Sequence, residues 1–224
     1  MRTFILFIFL LTITGCAAQK QKQTKQDAFN VSHGVVVNTI DSGLIKDIRY
    51  IHFDNSKGVI FPAEYGRKKF GKNFYSQQRT FFTPDTLLIK NIDTAIINQY
   101  CKATIRFNDS VWKRTIESLK EDNDIESLKR AEMQMKTSQE QFNKLCPKWQ
   151  QDLKYFDKQY IGFINGAGEK IIYIQLCDFR QDPYKLKSIF NTAWVDGWHG
   201  WFETNTKRLH FHLDTNELTI NKDL

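Results

Sequence analysis

The segment from Tyr160 to Cys177 constrains this chain most. Tyr160-Ile161-Gly162-Phe163-Ile164 is followed by the turn residues Asn165-Gly166-Ala167-Gly168, and then by an apolar run to Cys177. Two strand-forming stretches around an Asn-Gly pair predict a β-hairpin. The second arm, Ile171-Ile172-Tyr173-Ile174-Gln175-Leu176, is apolar at both alternating sets of positions. A strand of that kind has no face to give to water, so it belongs at the centre of a sheet covered by helices.

The N-terminus carries an address. Arg2 precedes an apolar run over residues 4–13 that only Thr12 interrupts. Ten such residues match a signal-peptide core and fall short of the ~20 that span a bilayer. Ile13-Thr14-Gly15-Cys16 follows at once. This quartet resembles the lipobox of bacterial lipoproteins. The resemblance implies cleavage before Cys16, which becomes the acylated N-terminus, and attachment to membrane through more than one lipid chain. The expected organisation is a signal peptide over residues 1–15, a lipidated tether over 16–30, and one globular domain over 31–224. Residues 17–28 hold four Gln and three Lys and little that is apolar, which suits a solvated tether. Ala17, rather than Asp, next to the acylated Cys resembles an outer-membrane address, and the basic tether favours the periplasmic face.

Charge is informative only once the leader is set aside. The chain carries 32 Lys+Arg against 25 Asp+Glu, and losing Arg2 leaves 31 against 25, a mature charge of +6. In the cytosol such a balance would raise the question of nucleic acid. Behind a lipoprotein leader it points instead to anionic headgroups and envelope polymers, and no nucleic acid is expected.

The rest of the chain reads as α+β. Residues 35–40 and 44–53 are strand-like, with turn chemistry at 54–58 and a further strand at Val59-Ile60-Phe61. Residues 64–82 read as a basic, aromatic connection. Thr83-Pro84-Asp85 predicts an N-cap, a Pro at the first helical position and an acid in the first turn of a helix over 84–100. A helical segment over about 109–156 follows, interrupted at 121–124, with Pro147 ending it or starting a successor. Its outer face places Glu126/Arg130, Glu132/Lys136 and Glu140/Lys144 four residues apart, acid first. At the end of the chain Leu209, Phe211 and Leu213 alternate with Arg208, His210 and His212, giving strands with one wet face. The expected architecture is an antiparallel sheet with helices packed on one face.

Gln159 to Asn165 with Gly168 to Ile174, followed by Asp196-Gly197 and an aromatic-rich strand, resembles small uncharacterised lipoproteins of Bacteroidetes-type bacteria. The likeness covers the last third of the chain. Trp198-His199-Gly200 departs from it, since similar chains have a second Gly and smaller residues there. Those proteins have no assigned activity, so the resemblance carries over no functional residue.

Three constellations bear chemistry. His210 and His212, at i and i+2 on a strand, share a face and could ligate zinc with His199, Glu203 or Asp214; the plain alternative is the polar face of a half-buried strand. Trp194, Trp198 and Trp201, with Phe202, place three Trp in eight residues; exposed, they would stack on a glycan or a partner protein, and buried, they cap the core. Arg67, Lys68, Lys69, Lys72 and Arg79 lie among Tyr65, Phe70, Phe74, Tyr75, Phe81 and Phe82, a basic loop whose rings tuck inward. After Cys16, three cysteines remain, Cys101, Cys146 and Cys177. Each reads by default as a buried thiol, and one disulfide with one free thiol is equally compatible. No GxSxG elbow, phosphate loop or paired-His helix occurs, and no cofactor is called for. The expected function is a lipid-anchored envelope protein of binding or structural type. The alternative is an envelope hydrolase or metal enzyme using His210 and His212 with a neighbouring acid.

Overall fold

Two eight-residue strands, β6 (Asp157–Ile164) and β7 (Lys170–Cys177), form the centre of the fold, paired antiparallel from Asp157↔Cys177 to Ile164↔Lys170. They are the predicted hairpin. Asn165 closes its turn: its side-chain oxygen accepts from the Ala167 and Glu169 N–H groups, both at 3.0 Å. The computed structural model describes residues 30–31, 35–36, 47–71, 79–197 and 199–220. The leader, Cys16, the tether, most of the strands expected over 35–46, Lys72, Phe74, Tyr75 and Trp198 lie outside the described residues.

The sheet has seven strands. Along one path run β3 (Arg49–His52), β4 (Lys57–Ile60), β6, β7, β8 (Thr206–His212) and β9 (Glu217–Ile220), while β5 (Thr80–Phe82) pairs with the far end of β6. A short antiparallel pair, β1 (Asn30–Val31) with β2 (Val35–Val36), stands apart from it. β4 runs parallel to β6, so the sheet is mixed and not purely antiparallel as expected. The reason is topological: between β4 and β6 the chain makes a long excursion through helices, and a crossover of that length can return a strand in the same direction.

That excursion is mostly a helix pair. α2 (Thr86–Glu121) spans 36 residues and α3 (Ile125–Asp152) spans 28. They are joined at residues 122–124, where the acidic interruption falls. At 1.5 Å per residue α2 is about 54 Å long, roughly twice the ~27 Å of an eight-residue strand. Its buried residues Ile89, Ile92, Ile96, Tyr100 and Ala103 all fall in the first half, spaced three or four apart against Ile172, Ile174, Leu209 and Leu218. Gln99 clamps this half to β9, accepting from Leu218 N and donating to Asn216 O, both at 3.0 Å. Arg106 adds an ion pair to Glu217 and donates to Leu218 O at 3.0 Å; beyond it the helices are cross-linked by Gln139 Nε2 donating to Asp109 Oδ1 at 2.9 Å.

Several expectations need correcting. α2 does not stop at residue 100, because Tyr100 and Ala103 carry the buried stripe through the junction and packing overrides the modest propensity there. Its N-cap is Asp85, whose carboxylate accepts from Leu87 N (2.6 Å) and Leu88 N (3.1 Å), while Thr83 Oγ1 accepts from Ala63 N. Pro147 lies inside α3; it removes one helical hydrogen bond, which the packing of Cys146, Trp149 and Leu153 offsets. Cys101 and Cys146 are disulfide-bonded, with Cα atoms 5.5 Å apart, and among the described residues Cys177 remains a buried free thiol. Glu126 and Arg130 form their ion pair at 3.5 Å.

The second face of the sheet is not left to water. α1 (Ala63–Phe70), within the stretch read as a connection, covers it together with the irregular segment after β7. Glu64 in its first turn and Arg67, Lys68 and Lys69 in its last complement the helix dipole, so the basic cluster is in part a helix terminus. Gly66 lets α1 lie against the sheet; a Cβ there would overlap the Phe81 ring. Lys158, on the α2 side of β6, is buried against Asp93 (3.1 Å) and Ser56 Oγ (3.0 Å), an ion pair that pins α2 to the sheet.

Candidate binding cavity

α2 and α3 diverge from the end of the sheet where β8 begins, and a cavity of about 830 Å³ opens between them. Its helical wall is apolar, built by Tyr100, Phe107 and Val111 of α2 with Phe142 and Trp149 of α3. The Phe142 and Trp149 rings meet edge to face at 5.4 Å. Nothing in a sequence tells an apolar helix face that packs from one that borders open space.

The opposite wall is polar and comes from the ends of β7 and β8 and from α4 (Trp201–Asn205). Asp178 follows β7 directly. Both its oxygens are held by Arg180, Nε at 2.9 Å and 3.0 Å and a terminal nitrogen at 2.6 Å. Burial alone would raise this carboxyl, but the Arg180 hydrogen bonds and charge hold it below the usual carboxylate range. Lys207 also faces the cavity; burial lowers its ammonium pKa and the Asp178 charge pulls it part of the way back. Its hydrogen bond is a long one, to Thr204 O at 3.5 Å. Asn108 gives the helical wall a polar spot. Its Oδ1 accepts from Ser138 Oγ at 3.4 Å, and its Nδ2 is buried without a hydrogen-bond partner among the described residues.

The residues singled out from sequence fall elsewhere for the most part. Trp194 is fully buried, its ring 4.9 Å from Tyr173 and 5.7 Å from Phe70, and its backbone N–H donates to the Tyr65 hydroxyl at 2.6 Å. Trp201 is buried with its indole N–H on Gln181 O, and Phe202 is buried beside it, one edge reaching the cavity. None of these three rings offers an open stacking face. Trp194 and Trp201 belong to the core cluster because the second face of the sheet needed large side chains to close it.

The histidines separate. His210 and His212 share a face of β8, their ring centroids 6.5 Å apart, but it is the face opposite Leu209 and Phe211. His210 packs edge-on to Phe163 (5.6 Å) and Tyr173 (5.4 Å), and His212 Nε2 meets Thr219 Oγ1 at 3.3 Å. Neither lines the cavity. His199 is exposed and pairs with Glu203 at 3.1 Å. Among the described residues no group of three or more His, Cys, Asp or Glu side chains is placed to hold a metal ion. Cys177 is fully buried and its thiol pKa is pushed well up by that burial, which leaves it a packing residue. Lys207, Asn108 and the Asp178–Arg180 pair were not legible as a site, since the fold alone brings residues 108, 149, 178 and 207 together. No protein-family model matches the chain, and neither a curated protein nor a solved structure matches it.

Proposed function

We propose that this chain is a lipid-anchored cell-envelope protein of non-catalytic type that holds a small apolar or amphiphilic ligand between its helix pair and its sheet. The cavity carries the reading. Its volume lies in the range of small-molecule sites, roughly 300–1,000 Å³, and its lining joins aromatic and aliphatic side chains to charged and polar ones, the two kinds of surface an amphiphile needs. His210 and His212, on which the alternative of a hydrolase or metal enzyme was built, do not line the cavity. A disulfide tying the helices suits an oxidising compartment outside the cytosol, and the Ile13-Thr14-Gly15-Cys16 quartet suits attachment there by acylation. No helix among the described residues is long and apolar enough to cross a membrane. In this reading the membrane contact is the lipid on Cys16, with the outer membrane's periplasmic face as its place.

The test uses the chain from residue 16 onward with Cys16→Ser, which retains every described residue without the lipid. The uncharged dye N-phenyl-1-naphthylamine should bind saturably at one site. Val111→Asp places a charge on the apolar wall at a position already 37% exposed, so the fold should survive while affinity for the dye falls roughly 10-fold or more. Unsaturable binding, or binding untouched by Val111→Asp, would overturn the reading.

A further inference from the structure

We propose that the cavity selects a single-chain amphiphile with a carboxylate head, the head seated on Lys207 and the tail along Phe107, Val111, Phe142 and Trp149; this rests on the binding reading above.

The polar end of the cavity is short of acceptors. Asp178 is neutralised by Arg180 along both carboxylate oxygens. Glu203 is engaged by His199. Lys207 has no such partner: no salt bridge among the described residues reaches its ammonium, and its hydrogen bond to Thr204 O is at the limit of that interaction. A half-buried ammonium left this way has lost hydration without replacing it, and an anion delivered to it restores the loss. An open ammonium on the lining asks for a ligand group that accepts hydrogen bonds and carries negative charge.

The lining carries no net charge, so the open group decides which head it takes. The lining holds three cations, Arg180, Lys207 and Arg208, and three carboxylates, Asp152, Asp178 and Glu203. A carboxylate meets the Lys207 ammonium, which no carboxylate of the lining holds in a salt bridge. A phosphomonoester dianion would put its second charge against Asp178, and a cationic head would meet Lys207 itself. The rest of the ligand is fixed by the helical wall, which offers ring and aliphatic surface and suits an alkyl chain.

The experiment displaces N-phenyl-1-naphthylamine from the unlipidated chain at pH 7 with three ligands of equal chain length: laurate, dodecanol and dodecyltrimethylammonium. Laurate should compete at a concentration roughly 10-fold or more below the other two, the scale of one charge-assisted hydrogen bond. Lys207→Met should remove that preference while leaving the dye bound, and Lys207→Arg should keep it, which separates lost charge from a damaged fold. Equal displacement by laurate and dodecanol, stronger displacement by the cation, or a preference that survives Lys207→Met would overturn the inference and leave the binding reading intact. Failure of both dye and laurate to bind, by fluorescence and by calorimetry, would overturn both.

Discussion

Gln159 on β6 accepts a hydrogen bond from the Val195 backbone N–H at 2.8 Å, through a side chain that is fully buried. The same amide donates to Phe190 O and Ala193 O, each at 2.7 Å. One strand side chain therefore satisfies three backbone groups of an irregular segment that is itself neither strand nor helix. That segment carries Trp194 over Tyr173 and so closes the second face of the sheet.

Gln159→Leu should be among the most damaging single substitutions in the chain. Leucine fits the volume but strands three buried backbone groups, each costing about 1–3 kcal/mol, so a loss of roughly 3 kcal/mol or more is expected. Urea unfolding followed by tryptophan fluorescence measures it. A loss below about 1 kcal/mol would mean that the 190–195 segment finds other partners.

The Cys101–Cys146 disulfide closes a separation of 45 residues. Loop-closure entropy for that length is about 4 kcal/mol, an upper figure because the reduced chain retains structure. The Cys101→Ser, Cys146→Ser double variant should melt roughly 10 °C lower. Both helices that wall the cavity hang on this link, so dye affinity should fall with it. An unchanged melting temperature would show that packing alone holds the pair.

Much of the fold was legible because it follows from local pattern. The β6–β7 hairpin, the alternation in β8 and the break at 122–124 each rest on a signal a few residues long. The parallel β4–β6 pairing did not, since it depends on where an excursion of nearly a hundred residues ends. α1 was missed for a related reason: four charged residues among its eight hide the two, Tyr65 and Gly66, that are buried. Trp194 and Trp201 drew attention as a cluster, yet their rings serve the core. The cavity residues drew none, because a stripe such as Phe107, Val111 and Phe142 looks the same whether its neighbour is a side chain or open space.

His210 gives a pH dependence of known sign. Burial, then the neighbouring His212 and Arg79, push its imidazole from an ordinary 6.5 down to about 3. Below about pH 6.5 the unfolded chain takes up a proton that the native state refuses. Stability is therefore complete above that pH and is lost as the pH falls toward about 3. His210→Phe, which can pack against Phe163 and Tyr173, removes the effect. The wild-type urea midpoint should fall more than the variant's between pH 7 and pH 4. Parallel curves would show that the imidazole is protonated in place.

Cys16 carries the anchor in the proposed reading, and its replacement separates that reading from every other. Processing before Cys16 would remove the apolar run over residues 4–13 and leave a basic, glutamine-rich segment as the new N-terminus. Such a segment has no affinity for hydrocarbon, so acyl chains on Cys16 would be the sole hold on the bilayer, and two or more chains make that hold stable. Expressed in a bacterium with lipoprotein processing, the native chain should partition into the detergent phase and gain mass by acylation. Cys16→Ser should give either an unprocessed precursor, still bearing the leader, or a form in the aqueous phase. Retention in the detergent phase of a processed Cys16→Ser chain would refute the lipid anchor, while the cavity and its ligand would stand on their own tests.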